Sequence, residues 1–116
     1  VNSRIHSHAG NLILSAFALI ATTGPAHADS IPRYDPAQYC KKVSLAGGGS
    51  QMIYNGCVEM EQNAYDELKS IWDNLPIQAK SYCDMVARTT DGSYSILKGC
   101  IDMETEASSS TPKFKF

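Results

Sequence analysis

Beyond residue 28 this 116-residue chain contains no histidine, because all three (His6, His8 and His27) come earlier. That remainder can hold no Ser-His-Asp set, no Cys-His set and no histidine-ligated zinc. It also lacks any apolar run near the ~20 residues that a membrane-spanning helix needs. No stretch has the period of two of a half-buried strand. Positive charge is scarce: residues 29–116 carry 9 Lys+Arg against 12 Asp+Glu. A net negative domain of this kind is no dedicated nucleic-acid binder, since phosphate must be met by basic groups. Disorder is excluded by the balance of 43% hydrophobic and 19% charged residues. The 88 residues from 29 to 116 suffice for one small domain, without room for a cofactor domain beside a substrate domain.

Residues 1–28 read as a secretory signal peptide. Arg4, His6 and His8 form a weakly positive start, and the apolar part runs from Leu12 to Ala21. Gly24-Pro25 ends the run, and Ala26-His27-Ala28 supplies the small-x-small cleavage pattern before Asp29. The run is about half of what an uncleaved anchor requires. The expected location is periplasmic or secreted. Outside the cytosol, an even number of cysteines in a domain this small implies disulfides.

The rest of the chain repeats itself. Residues 39–64 align without gaps on 82–107, and 11 of the 26 positions are identical. The shared residues include Tyr39/Tyr82, Cys40/Cys83, Cys57/Cys100, Met60/Met103 and Glu61/Glu104. Two units are too few for a solenoid, so the pattern predicts two pseudo-symmetric helical hairpins. Each unit is a short helix, a Gly-containing turn and a longer helix. Asp35-Pro36 opens the first helix as N-cap and first helical residue, with Gln38 placed for a capping box. Gly47-Gly48-Gly49 ends it, and Ser50 caps the second helix. There, Ile53, Cys57, Met60, Ala64, Leu68, Ile71 and Leu75 form an apolar face at helical spacing. Pro76 breaks that helix. A third helix follows to about Arg88 and is expected to bury Ala79, Cys83 and Val86. Ser93 caps a fourth, whose face is Ile96, Cys100, Met103 and Ala107. The fold class is therefore all-α: a four-helix, disulfide-stapled domain over 29–107, with a loose tail over 108–116.

Four cysteines allow three pairings. Cys40 and Cys57 are equidistant from the first turn, and Cys83 and Cys100 from the second, so each pair faces across an antiparallel hairpin. Pairing Cys57 with Cys83 misses axially by roughly 15 Å at 1.5 Å per residue. The cross-repeat pattern, Cys40–Cys83 with Cys57–Cys100, joins equivalent positions and stays open at this point. Each within-hairpin bridge closes a loop worth about 3 kcal/mol, a large addition for so small a core.

Other constellations carry chemistry less directly. Cys57/Met60 and Cys100/Met103 repeat a Cys-x-x-Met pattern, a soft set suited to Cu(I) if the cysteines were reduced. Met beside a disulfide is the plainer reading. Glu61 and Glu104 could form an acid pair, or bond to Tyr39 or Tyr82. Tyr54, Val58, Tyr65 and Trp72 make a second stripe, either core or an aromatic partner face. The Lys113-Phe114-Lys115-Phe116 end is a solvated tail or a peptide that adds to a partner's sheet edge.

The run Cys57–Leu68, followed by Trp72, Pro76, Tyr82-Cys83, Gly92-Ser93-Tyr94 and Leu97-x-x-Cys100, resembles a group of small uncharacterised exported proteins of Gram-negative bacteria. The resemblance covers most of 39–107. It implies a periplasmic, disulfide-bonded helical protein and brings no activity with it. The expectation is a non-enzymatic binding or structural module without cofactor, metal or catalytic residues. Tyr65, Trp72, Phe114 and Phe116 are its candidate partner-binding residues, and the partner is a protein or an envelope component. The alternative is soft-metal binding through the paired Cys-x-x-Met motifs.

Overall fold

The computed structural model describes residues 30–116. The expected signal peptide lies outside the described residues. Four α-helices follow in order: α1 (Pro36–Ala46), α2 (Gln51–Ile71), α3 (Ile77–Arg88) and α4 (Tyr94–Ser109), with a 3-10 turn at Trp72–Asn74 between α2 and α3. No strand occurs among the described residues.

The helix ends follow from local chemistry. The Asp35 carboxylate accepts the Gln38 N–H at 2.9 Å and caps α1, with Pro36 at its start. Gly48 lies at φ 83° and Gly49 at φ 80°, which only glycine adopts without a Cβ clash. Gly49 N–H bonds Ser44 O at 2.7 Å and Gly48 N–H bonds Leu45 O at 3.1 Å, the two bonds of a Schellman ending. The second turn repeats it: Gly92 N–H bonds Ala87 O at 3.1 Å and Asp91 N–H bonds Arg88 O at 3.3 Å. Ser50 and Ser93 cap α2 and α4 by accepting the N–H of Ile53 and Ile96.

Each hairpin is closed by its own disulfide. Cys40 bonds Cys57 and Cys83 bonds Cys100, each pair 17 residues apart with Cα atoms 5.5 Å apart. The cross-repeat pairing is thereby excluded. The hairpins meet where α2 packs on α4. Contacts advance together along both helices: Glu61 meets Tyr94, Glu67 meets Lys98, and Ile71 and Leu75 share a cleft with Asp102 and Thr105. The two helices are therefore parallel. Matched registers would set Glu61 beside Glu104. Its actual neighbour is Tyr94, ten residues earlier, so the second hairpin is slid along α2 by about 15 Å.

The slide decides what is core. Ala64, Leu68 and Trp72 pack with Cys83 and Ala87 of α3 and with Tyr94, Leu97 and Ile101 of α4. Three sequence expectations change as a result. Met60 and Met103, placed on the apolar faces, are 64% and 72% exposed, and Ala107 is exposed too. Val86 and Ala79 are half-buried, while Ala87 takes the central place. The buried line of α2 runs through Glu61, Ala64, Leu68 and Trp72, because it faces α4 rather than α1 alone. The segment before α1 crosses onto the second hairpin. Tyr94 Oη donates to Pro32 O and accepts Tyr34 N–H, both at 3.0 Å, and the two rings stack at 4.8 Å. Gly92 is required beneath it, since a Cβ there would lie 2.7 Å from the Tyr34 ring.

Candidate functional site

Glu61 is 1% exposed and holds the start of α4. One carboxylate oxygen accepts the Ser93 hydroxyl at 2.7 Å and the Ser95 N–H at 3.2 Å; the other accepts the Tyr94 N–H at 2.6 Å. Ser93 Oγ in turn accepts the Ile96 N–H at 3.2 Å. The first three N–H groups of α4 are thus all satisfied, two of them by an anion placed at the positive end of the helix dipole. Burial without these partners would be costly. Neither Tyr39 nor Tyr82 bonds Glu61 among the described residues. Glu104 lies about 15 Å further along α4 than the Tyr94 that Glu61 touches. The acid-pair reading is therefore corrected: the two carboxylates do not share a site.

Glu104 is exposed and borders a groove of about 340 Å³ on the second hairpin. Its lining is Tyr82, Val86, Ile96, Gly99, Cys100, Met103 and Glu104. Every one of these recurs 43 residues earlier as the identical residue. In the first hairpin that same set includes the carboxylate that receives a helix start; in the second it opens to solvent. The paired identities were visible in the sequence, but not which glutamate would be enclosed.

The candidate partner residues are scattered. Tyr65 is half-buried, with its ring edge-on to Tyr94 at 4.9 Å and the Lys69 ammonium 5.1 Å from its centroid. Trp72 is 3% exposed and belongs to the core, so it cannot be presented to a partner. Phe114 and Phe116 are fully exposed beyond α4 and pack against each other at 5.0 Å. All four cysteines are in disulfides, which leaves the Cys-x-x-Met pairs without thiolate for a soft metal. Among the described residues no three His, Cys, Asp or Glu side chains gather as a metal site.

Charge pairs brace the helices. The Asp102 carboxylate, joined by Glu67 across from α2, raises the affinity of Lys98 for its proton. Lys69 likewise holds the Asp66 carboxyl below its ordinary range. Burial, reinforced by the bond to Asp84 at 2.7 Å, pushes the Tyr34 hydroxyl well above the usual phenol value. Asp84 also binds Arg88 one turn on, a spacing legible beforehand. The role of Tyr34 was not, because it acts across 50 residues. No helix among the described residues is long and apolar enough to cross a membrane. No family model, curated protein or solved structure matches the chain.

Proposed function

We propose that this protein is an exported, periplasmic or secreted, non-enzymatic binding module, and that it docks a protein partner in the Glu104 groove. The observation that carries the reading is the pair of equivalent sites. At Glu61 a carboxylate on a disulfide-locked hairpin receives the capped start of a helix. The same residues around Glu104 line an open groove on an equally bridged hairpin, with Tyr82, Met103 and Glu104 exposed. The partner presents the first turn of a helix, whose free N–H groups suit a carboxylate, and an apolar residue for Met103 and Tyr82 to cover. Phe114 and Phe116 add a second contact. Export is supported by the two disulfides, which persist in oxidising compartments.

The test is capture from an envelope extract by the oxidised protein, the Glu104→Ala/Met103→Ala double variant and a chain lacking 108–116. The double variant should lose a partner that the wild type retains, and the shortened chain should hold it less tightly. Identical partner profiles from all three would remove both surfaces.

A further inference from the structure

A cleft of about 470 Å³ lies between residues 30–33 and α3, and it shares no lining residue with the Glu104 groove. Lys80, Ser81, Asp84 and Arg88 form its α3 wall, and Ile31 and Pro32 its apolar side, with Trp72 beneath. Its volume falls in the range of small-molecule sites. We infer that this cleft binds a small organic carboxylate with an apolar body, held by the Lys80 ammonium. The inference is independent of the partner groove.

The polar inventory of the cleft is one-sided. Lys80 is 7% exposed, and among the described residues its ammonium meets only the Trp72 ring, 5.4 Å from the centroid. The Trp72 Nε1–H is buried and has no acceptor among the described residues. The one carboxylate among the described residues of the wall is already engaged. Asp84 Oδ1 accepts the Tyr34 hydroxyl at 2.7 Å and Arg88 Nε at 3.0 Å, and Oδ2 lies 3.1 Å from the same Nε. Lys80 and Arg88, together with Arg33 at the rim, outnumber it. What the cleft holds in surplus is therefore donors and positive charge. The Lys80 stem is buried while its ammonium has an aromatic face and no carboxylate as neighbour, and an aromatic face compensates a cation only in part. An anion restores the balance. One ammonium beside an apolar wall matches a carboxylate on an apolar body better than the larger charge and acceptor set of a phosphate. Ile31, Pro32 and the indole then cover an apolar body.

The chain has one tryptophan, so a single indole N–H signal in a nitrogen–proton correlation spectrum reports on the floor of the cleft. Titration of the oxidised protein with 3-phenylpropionate at neutral pH should move that signal saturably. The matched amide should bind at least tenfold more weakly, and 3-phenylpropylamine should not bind. Lys80→Met, which keeps the apolar stem, should weaken the acid at least tenfold, while Lys80→Arg stays within threefold of wild type. Failure of 3-phenylpropionate to saturate would overturn the inference, as would equal binding of acid and amide. Inorganic phosphate binding as tightly as the acid would overturn the carboxylate assignment. These comparisons use the wild-type protein alone, so they stand even if Lys80→Met fails to fold. The Glu104→Ala/Met103→Ala variant should bind 3-phenylpropionate as wild type does, which separates this site from the partner groove.

Discussion

Glu61 and Glu104 each stand four residues after a disulfide cysteine, on the longer helix of a hairpin, with methionine before them. Glu61 is enclosed and accepts three hydrogen bonds from the start of α4. Glu104 is exposed. Nothing within either hairpin makes this difference. It arises from the slide of one hairpin along the other, which puts the start of α4 over Glu61 and leaves Glu104 on an open groove beside Tyr82 and Val86 of α3. A residue's role here is set by the offset between two like units rather than by its neighbours in sequence.

The largest effects test whether the hairpins differ in what their disulfides support. Both bridges close loops of equal span, so loop closure alone gives each about 3 kcal/mol. Cys83 also belongs to the central cluster, where Cys40, though fully buried, does not. Replacing Cys83 and Cys100 by alanine should therefore cost about 4 kcal/mol, the excess reflecting lost core contacts, and replacing Cys40 and Cys57 about 3 kcal/mol. Urea unfolding of the two double variants measures both. Equal losses would mean that chain connectivity alone decides, and that the central cluster does not depend on the sulfur.

Next in size is the carboxylate pair itself. Glu61→Ala strands the Ser93 hydroxyl and two N–H groups in a buried setting, which should cost about 2–3 kcal/mol. Glu104→Ala should change stability by less than about 0.5 kcal/mol. A comparable loss at both sites in a denaturant titration would contradict the packing offset.

The helices, their caps and both turns were legible because they depend on contacts within a few residues: Asp35 to Gln38, Ser50 to Ile53, Ser93 to Ile96, and the glycines at left-handed angles. The disulfides were legible because a hairpin places equidistant residues opposite each other. The slide was not. An apolar stripe through Met60 and Met103 follows from periodicity alone, and the sequence contains no marker of how far along α2 the second hairpin sits. Glu61 was hidden for the same reason: its partners lie 32 to 34 residues away. The cleft at Lys80 also depends on a segment returning from before α1, beyond the reach of any local pattern.

That returning segment hydrogen-bonds Asp84 and Tyr94 of the second hairpin, and its Tyr34 gives a pH-dependent test. The folded hydroxyl keeps its proton above the ordinary value, because of burial first and the bond to Asp84 second. In the unfolded chain it ionises near 10. Its contribution is therefore complete below about pH 10 and lost as pH rises above that, since the unfolded chain then binds fewer protons. Tyr34→Phe should lower stability by about 1 kcal/mol at pH 7. Between pH 9 and 11 its melting temperature should fall less than that of the wild type. Parallel falls would show that the segment does not hold Tyr34 in the folded protein.

The smallest effect concerns the turns. At the left-handed position the first hairpin has Gly48 (φ 83°) and the second has Asp91 (φ 66°). A side chain at such an angle costs about 1 kcal/mol, somewhat less for aspartate. Asp91 also pairs with Lys42 of α1 at 2.8 Å, a bridge from one hairpin to the turn of the other, with both side chains about half exposed. An exposed pair of this kind contributes about 0–0.5 kcal/mol. Relief of strain should win, so Asp91→Gly should stabilise by about 0.5 kcal/mol, a rise of about 2–4 °C in Tm for a domain of this size. Gly48→Asp should cost about 1 kcal/mol. Salt separates the two contributions, because backbone strain is indifferent to ionic strength and the bridge is not. If Asp91→Gly destabilises the protein in dilute buffer and the loss disappears at high salt, the Lys42 bridge outweighs the strain. In that event the first hairpin holds the start of α4 by charge at Asp91 as well as by Glu61 at Ser93 to Ser95.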